Sequence, residues 1–266
     1  MSAALVTLAV GEKYLAEWRR QCEPSWRAHA ARHGLDVVVI DQPLDDSPRA
    51  ALRSPAWQKC LVWSQPWAER YERLCWLDAD IVINAAAPSI FEHAAADRVA
   101  GVWSGACLHD DLKTIFLDRM RRARDKRLSP AAAWAADQRR FYAPYGHADP
   151  PDAIVQTGVL VADPRRAREL FERVYHAEQP IEDRGYEQTP LSWALARSSL
   201  FQPLDSRFNT LFYERMIVHY PYLLRRDLAN YDTLARLAVA VELDNSHFLH
   251  FAYDRRFADY LPAAGG

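Results

Sequence analysis

The sequence predicts an α/β fold with a central mixed, mainly parallel sheet and helices on both faces. Short apolar runs typical of buried strands alternate along the chain with segments in which apolar residues recur at helical spacing. The first three segments, at residues 3–10, 15–33 and 37–40, read strand, helix, strand. This βαβ order is typical of parallel sheets, so we expect helices to cover the sheet on both sides.

The first part of the chain contains most of the strand signals. Its predicted strands are residues 3–10, 37–40, 74–77, 81–83 and 99–103, of which 37–40 and 74–77 are expected to be buried. Its predicted helices are residues 15–33, 56–71 and a short one at 88–92, entered from a loop. Gly11 ends the first strand, Gly34 ends the first helix, and Pro24 marks a kink or restart within that helix.

The second part begins with an irregular insertion at residues 104–152, where an acceptor-specific loop would sit. Its further predicted helices are residues 112–120, 165–175 and 190–195, and its strands are 154–161 and 247–251. Polar and apolar residues alternate over residues 247–251. This pattern predicts a half-buried strand with His247 and His250 on one face. The charged residues Asp254, Arg255 and Arg256 follow that strand.

A pair of aspartates interrupts the apolar sequence between residues 74–77 and 81–83. Asp78 and Asp80 are separated only by Ala79. Burying two bare carboxylates would be costly, so we expect them at the strand end with a compensating charge. A hard divalent cation such as Mg²⁺ or Mn²⁺ fits two oxygen ligands, and it would in turn hold a diphosphate. A turn or a helix cap is the alternative interpretation of this pair.

Other candidate residues also have a purely structural interpretation. Spacing alone favours a solvated surface position for Lys59, and Gly158 indicates either a close approach of the backbone to a ligand or a β-bulge. Glu187 and Gln188 lie where they could cap a helix, with Pro190 in its first turn. The basic run 119–127 is typical of a solvated face, although it could contact an acidic or phosphorylated acceptor.

Composition limits the class of protein. The chain has 266 residues, a formal net charge of −2, 50% hydrophobic and 12% aromatic residues. This length suits one α/β domain with a sizeable core. The near-neutral charge argues against a general binder of nucleic acid or of membrane surfaces.

The four cysteines, Cys22, Cys60, Cys75 and Cys107, show no spacing typical of a zinc site or of a disulfide framework. Cys60 and Cys75 lie in apolar patterns, which predicts buried thiols. The sequence shows neither a basic and apolar leader nor a long apolar span. We therefore expect a cytoplasmic protein without a transmembrane segment.

The order of these segments resembles retaining glycosyltransferases of the GT-A fold over about residues 6–257, most nearly the glycogenin-like family 8 and also family 34. The resemblance implies a single Rossmann-like domain over residues 1–266. Its nucleotide-binding half would be about 1–103, its acceptor-side insertion about 104–152, and residues 153–257 would complete the donor and metal site. It also implies transfer of a hexose from a UDP-sugar to an acceptor hydroxyl with retention of configuration.

The resemblance also implies a role for individual residues. Asp78, Asp80 and His250 would bind Mn²⁺ or Mg²⁺, and Glu187 with Gln188 would lie at the reacting carbon. The other residues that would bind the sugar nucleotide are Leu8, Ala9, Val10, Tyr14, Lys59, Ala79, Gln156, Thr157, Gly158 and Arg256. Lys59 and Arg256 would contact the diphosphate.

Three positions differ from the family pattern. Gln156 replaces an asparagine, Glu187 an aspartate, and Tyr253 a glycine. A homologue that binds a sugar nucleotide without transferring it therefore stays an alternative. A metal-dependent nucleotidyltransferase or phosphohydrolase is another, because paired aspartates also serve those reactions. The acceptor could be a glycan, a small molecule or a protein.

Overall fold

The computed structural model describes residues 2–122, 125, 127–146, 149–177 and 186–262. Its main sheet has six strands: β1 (Ala3–Leu8), β2 (Asp36–Ile40), β3 (Arg73–Leu77), β5 (Val99–Trp103), β6 (Val155–Ala162) and β7 (Phe201–Pro203). Their order is β2-β1-β3-β6-β5-β7. Only β6 runs against its neighbours, so the predicted mixed, mainly parallel sheet is confirmed.

A second, smaller sheet lies beside the first. It consists of β4 (Ile81–Ile83), β8 (Thr210–Leu211) and β9 (Phe248–His250), in the order β4-β9-β8. The chain leaves the main sheet at the end of β3 and enters this second sheet three residues later, through the Asp-Ala-Asp segment. Pairing of Ile81 with His250 then brings the end of the described chain back to that segment.

The helices cover both faces of the main sheet. They are α1 (Glu12–Gln21), α2 (Glu23–His33), α3 (Pro48–Ala51), α4 (Asp110–Arg119), α5 (Pro130–Tyr142), α6 (Pro164–His176), α7 (Gln188–Ala196), α8 (Phe212–His219) and α9 (Tyr231–Asn245). Among the described residues, no helix is long and apolar enough to cross a membrane.

Alternate residues of each strand supply two core layers, one on each face of the sheet. On β1, Leu5 packs into the layer that contains α1, α2, α4, α5, α8 and α9, whereas Ala4 and Val6 pack into the layer with α6 and α7. On β6, Val161 packs into the same layer as Leu5, and Leu160 packs into the same layer as Ala4 and Val6. Both faces are apolar because helices cover both, as expected for an α/β sheet.

Two predicted elements differ from the structure for local reasons. The helix expected at 56–71 is two 3₁₀ helices, Pro55–Ser64 and Pro66–Arg70. Gln65 between them is extended, with ψ 140°, because proline disfavours helical backbone in the residue before it. Strand β2 was expected to be buried, but Val37, Val38 and Val39 are only half-buried because β2 is an edge strand.

The described arginines of the basic run 119–127 are all exposed, as expected for a solvated face, but two of them also make specific contacts. Arg119 donates hydrogen bonds to the carbonyls of Ile217 and Val218 at the end of α8. The guanidinium of Arg122 lies 2.5 Å from the buried carboxylate of Asp137. Arg124 and Lys126 lie outside the described residues. Arg119 and Arg122 therefore also stabilise the insertion, through α8 and α5.

The cysteine predictions agree with the structure. All four cysteines are free, and Cys22, Cys60 and Cys75 are buried. Burial raises the pKa of the Cys60 and Cys75 thiols well above the ordinary value, so they stay neutral and act as small apolar side chains.

Candidate functional site

The acidic pair lies in the turn that joins the two sheets, at the carboxyl end of β3. The Asp78 amide donates to the Gly158 carbonyl at 2.8 Å, and the Ile81 amide donates to the Asp78 carbonyl at 3.2 Å. The Phe251 amide donates to the Asp80 carbonyl at 3.0 Å. The backbone of the turn is thus fixed by β6 on one side and by the segment after β9 on the other. Open α/β sheets bind ligands at this end of their strands.

Asp78, Asp80 and His250 form a cluster that could hold a metal ion. One ligand atom from each residue lies within 4.8 Å of the other two. His250 Nε2 is 3.1 Å from Asp80 Oδ1 and 3.9 Å from Asp78 Oδ2. Two carboxylate oxygens and one imidazole nitrogen are a donor set that a divalent cation accepts.

The charges in this cluster shift one another's protonation. Burial acts to lower the pKa of His250, but Asp80 and Asp78 raise it overall. Burial acts to raise the pKa of Asp80, but His250 and Arg255 lower it overall. Without a cation, the pair therefore favours a protonated imidazole beside an ionised carboxylate. A metal would replace that proton.

Two neighbours fix the orientation of the His250 ring. Its Nδ1 lies 2.8 Å from Asn209 Oδ1, so the imidazole can donate there and keep Nε2 for the carboxylates. A Cβ atom at Gly158 would lie 2.4 Å from His250 Cε1 and 3.2 Å from Asp78 Oδ2. The close approach that this glycine permits is therefore to a side chain. Gly158 also lies where the pairing of β5 with β6 is interrupted, since Gly101 pairs with Leu160 whereas Val102 pairs with Gln156.

Lys59 is buried, which contradicts the surface position that spacing favoured. Its side chain is 2% exposed, and Nζ lies 2.9 Å from Asp78 Oδ1 and 2.7 Å from Glu187 Oε1. Nζ also donates to the Thr157 carbonyl at 3.3 Å. Burial acts to lower the pKa of Lys59, but the two carboxylates raise it overall, so it is a permanent cation.

Asp78 uses its two oxygens differently. Oδ1 accepts hydrogen bonds from Lys59 Nζ and from Trp76 Nε1, both at 2.9 Å. Oδ2 faces His250. The ammonium and the indole therefore aim the second oxygen at the candidate metal position, and neither contact was apparent from the sequence.

Glu187 and Gln188 lie at the start of α7, as expected. Glu187 is 2% exposed, and its Oε1 accepts from Thr157 Oγ1 at 2.8 Å as well as from Lys59. Among the described residues, Oε2 has no hydrogen-bond partner. Gln188 Nε2 donates to Gln156 Oε1 at 3.2 Å. A buried carboxylate oxygen without a partner beside two amides indicates a place for a polar ligand.

These residues line two adjoining cavities. The first, of about 360 Å³, is lined by residues that include Leu8, Ala9, Val10, Tyr14, Trp76, Ala79 and Arg255. The second, of about 310 Å³, is lined by residues that include Lys59, Gln156, Thr157, Gly158, Glu187, Gln188 and His250. Asp78 and Asp80 line both. The candidate metal cluster thus lies at the junction of a two-part cleft of ordinary ligand-binding size.

Arg256 lies outside this cleft, contrary to the prediction from the resemblance. It pairs with Asp254 at 2.8 Å and faces a separate surface depression with Tyr231 and Tyr260. The neighbouring Arg255 lines the first cavity instead. Its Nη2 donates to the Ala79 carbonyl at 2.8 Å. The two arginines are adjacent in sequence, so only the turn after β9 decides which one enters the cleft.

Tyr253 and His247, on either side of β9, both differ from expectation. Tyr253 has φ 73°, the left-handed conformation that glycine adopts easily, so the backbone shape survives the substitution. His247 lies three residues before His250, and an odd separation along a strand puts side chains on opposite faces. Its ring packs against Phe208 instead of the carboxylates. The prediction that both histidines share a face was therefore wrong.

No protein-family model and no curated protein sequence matches this chain. Its fold is similar to that of a glycosyltransferase involved in the glycosylation of the major capsid of PBCV-1. The TM-score is 0.53 and the identity 15%, over 96% of this chain and 97% of that one. It is also similar to the WbbM bifunctional glycosyltransferase in its apo form, with a TM-score of 0.48 and 11% identity, over 95% of this chain and 46% of that one. The first likeness shows a GT-A-like glycosyltransferase fold.

Proposed function

We propose that this protein is a metal-dependent glycosyltransferase that transfers a sugar from a UDP-sugar to an acceptor hydroxyl with retention of configuration. The observation that carries the proposal is the cluster of Asp78, Asp80 and His250 at the junction of two cavities. The likeness in fold to a glycosyltransferase adds support. The UDP-sugar donor and retention are the features that the sequence resemblance implies.

The cluster fits a divalent cation for three reasons. Its donor atoms are of the right kind, and one from each residue lies within 4.8 Å of the other two. Asn209 holds the imidazole in the tautomer that ligation requires. Gly158 leaves room for the ring, which any larger residue would displace. A cation bound there would neutralise charge on the departing diphosphate.

The two cavities suit the two parts of a sugar nucleotide. In the first, the ring of Tyr14 is half exposed and offers a surface for a base, and Arg255 provides a positive charge next to Asp80. In the second, Glu187 Oε2 can accept a sugar hydroxyl, and the Gln156 and Gln188 amides can orient the ring. Lys59 holds Glu187 and Asp78 in these positions.

Catalysis would then rest on positioning and charge. The sugar would be fixed in the second cavity while its diphosphate lies between the metal cluster and Arg255. Negative charge grows on the phosphate oxygen as the glycosidic bond breaks, and fixed cations stabilise it without reorganisation. Gln188 is a poor nucleophile, so its role would be to position the sugar. Glu187 is engaged by Lys59 and Thr157, which favours the same kind of role.

The proposal is tested by incubating the protein with a panel of UDP-sugars and Mn²⁺ and measuring the nucleotide product. Release of UDP that stops on chelation, and that Asp80→Asn abolishes, is the expected result. Formation of pyrophosphate or of a nucleoside monophosphate would instead indicate a nucleotidyltransferase or a phosphohydrolase. Binding of UDP-sugar by calorimetry without any turnover would indicate a homologue that only binds.

A further inference from the structure

A third cavity, of about 120 Å³, opens beside the second one, between α4, α5 and α8. It shares Gln156, Gln188 and Tyr253 with the second cavity. None of the three candidate metal ligands lines it. A molecule in this cavity would therefore be separated from the metal cluster by the two glutamines.

The third cavity contains buried polar atoms whose hydrogen-bonding capacity is unused. Gln138 is 2% exposed, and its Oε1 has no hydrogen-bond partner among the described residues. Glu214 is 5% exposed, and it accepts from Ser104 Oγ and from Cys107 Sγ, each at 3.4 Å, and from the Gly105 backbone amide. A buried amide oxygen without a partner, and a buried carboxylate hydrogen-bonded only to neutral donors, are both unfavourable. Both groups line one cavity, so a polar ligand that donates hydrogen bonds would satisfy them together.

The remaining walls of the third cavity are largely aromatic. Its aromatic lining residues are Phe116, Trp134, Phe141, Tyr213 and Tyr253. The Tyr213 and Tyr253 rings lie 5.1 Å apart at 39°, at the border with the second cavity. Aromatic faces pack well against C–H surfaces, whereas the carboxylate and amide oxygens need donors. A sugar ring offers both, with C–H groups on its faces and hydroxyls around its edge.

We propose that the third cavity is the acceptor subsite and that it binds a sugar ring, with Glu214 and Gln138 accepting its hydroxyls. This inference rests on the proposed transferase function. The donor sugar is joined to the diphosphate at the metal cluster, so its ring belongs in the second cavity. A second ring in the third cavity would meet it across Gln156 and Gln188. The acceptor is thus a carbohydrate, or a molecule that presents one.

Direct binding of simple glycosides tests the subsite without relying on turnover. Methyl α- and β-glycosides of glucose, galactose, mannose, xylose and N-acetylglucosamine would be followed by saturation-transfer NMR, with and without UDP and Mn²⁺. We expect at least one to bind without displacing UDP. Glu214→Gln and Gln138→Leu should each weaken that glycoside at least tenfold and change UDP affinity by less than about twofold.

Two further variants keep the result interpretable. Tyr253→Ala removes a ring that is 75% exposed, so it should weaken the glycoside without disturbing the core. Glu242→Gln is the matched control. Glu242 is also a buried glutamate, but it pairs with Arg215 at 2.8 Å and does not line the cavity. This control should leave glycoside affinity unchanged.

The subsite would be overturned by three results. These are the failure of every glycoside to bind, displacement of UDP by the glycoside, or wild-type affinity in folded Glu214→Gln and Gln138→Leu. The proposed function fails separately, if no UDP-sugar releases UDP. Glycoside binding would then show a sugar site in a protein that is not a transferase, and the acceptor assignment would be wrong.

Discussion

The surroundings of Lys59 differ from those that the sequence around it predicts. Local spacing favoured solvent, and the resemblance favoured the diphosphate, but the ammonium lies between Asp78 and Glu187. Its acceptors Asp78 and Thr157 are 19 and 98 residues away in the chain. Contacts of this kind are set by the tertiary fold, so no local pattern could predict them. Because Lys59 pairs with both carboxylates, its charge holds these two side chains in place.

Lys59→Met should therefore destabilise the protein, and not only weaken ligand binding. Removing the buried cation leaves Glu187 and Asp78 without their compensating charge, a loss that typically costs about 3 kcal/mol or more. Urea denaturation of the metal-free protein would measure it. Adding Glu187→Gln to the variant should recover part of the loss, because it removes one of the two unpaired charges. A loss below about 1 kcal/mol would mean that the ion pairs contribute little.

His250 and His247 differ in their surroundings, which makes them a matched pair. His250→Ala removes a candidate ligand from the cluster, so it should weaken Mn²⁺ binding by tenfold or more in a folded protein. His247→Ala removes a ring that packs on Phe208 and should leave Mn²⁺ affinity within about twofold. Calorimetric titration with Mn²⁺ measures both. Equal losses in the two variants would remove His250 from the metal site.

At the scale of elements, the strand β6 pairs with its neighbours and also positions Asp78 and His250 of the candidate site. Its run of apolar residues predicted a strand, and a bulge was one of two interpretations of Gly158. The pairing of β6 with β5 is interrupted where the carbonyl of Gly158 fixes Asp78 and where the absence of a Cβ atom makes room for His250. The sequence predicted the strand, and it predicted that Gly158 either lets the backbone approach a ligand or lies in a bulge. It did not predict that the close neighbour is a histidine from the other sheet.

Gly158→Ala tests this packing directly. The added methyl group would meet the His250 ring at 2.4 Å, which is too close, so the ring must move away from the carboxylates. We expect Mn²⁺ affinity to fall about tenfold while the sheet stays folded, as judged by circular dichroism. Gly101→Ala, on the neighbouring strand β5, is the control.

The methyl group of Gly101→Ala would meet only side chains, at 3.2 Å or more. It should cost a little stability and leave Mn²⁺ affinity unchanged. Wild-type Mn²⁺ binding in Gly158→Ala would show that His250 has more freedom than its packing suggests, and would weaken the case for a pre-formed site.

At the scale of the whole molecule, the order of the strands β1 to β6 was predictable because both core layers leave apolar residues at regular spacing. The helices α5, α8 and α9 and the strands β7 and β8 were not predicted. The second sheet was not, since Ile81–Ile83 continues an apolar run and only its pairing with β9 separates it from β3. The site was predictable where one motif contributes several residues, as Asp78 and Asp80 do. Asn209, Arg255 and Glu214 each depend on a distant partner, and no signal around them predicts it.

The buried carboxyl of Glu214 should make the stability of the whole protein depend on pH. Burial is the largest effect and raises its pKa from 4.5 to about 7, whereas Cys107, Ser104, the Gly105 backbone amide and Arg122 act to lower it. Between these two values the folded protein keeps a proton that the unfolded chain has lost. The folded state then binds more protons, so stability falls as pH rises from about 4.5 to 7 and levels off above that.

Glu214→Gln removes this titration. Relative to the wild type, the variant should gain free energy of unfolding as pH rises from 5 to 8, by up to about 3 kcal/mol for a shift of this size. Urea denaturation in the presence of a chelator, at several pH values, measures the difference, and subtraction cancels the groups that both proteins share. Gln138→Leu, in the same cavity but without a titrating group, should show a constant offset. A flat difference for Glu214→Gln would mean that its carboxyl is hydrated enough to ionise normally, and the third cavity would then lack the dry polar surface that a sugar ring would satisfy.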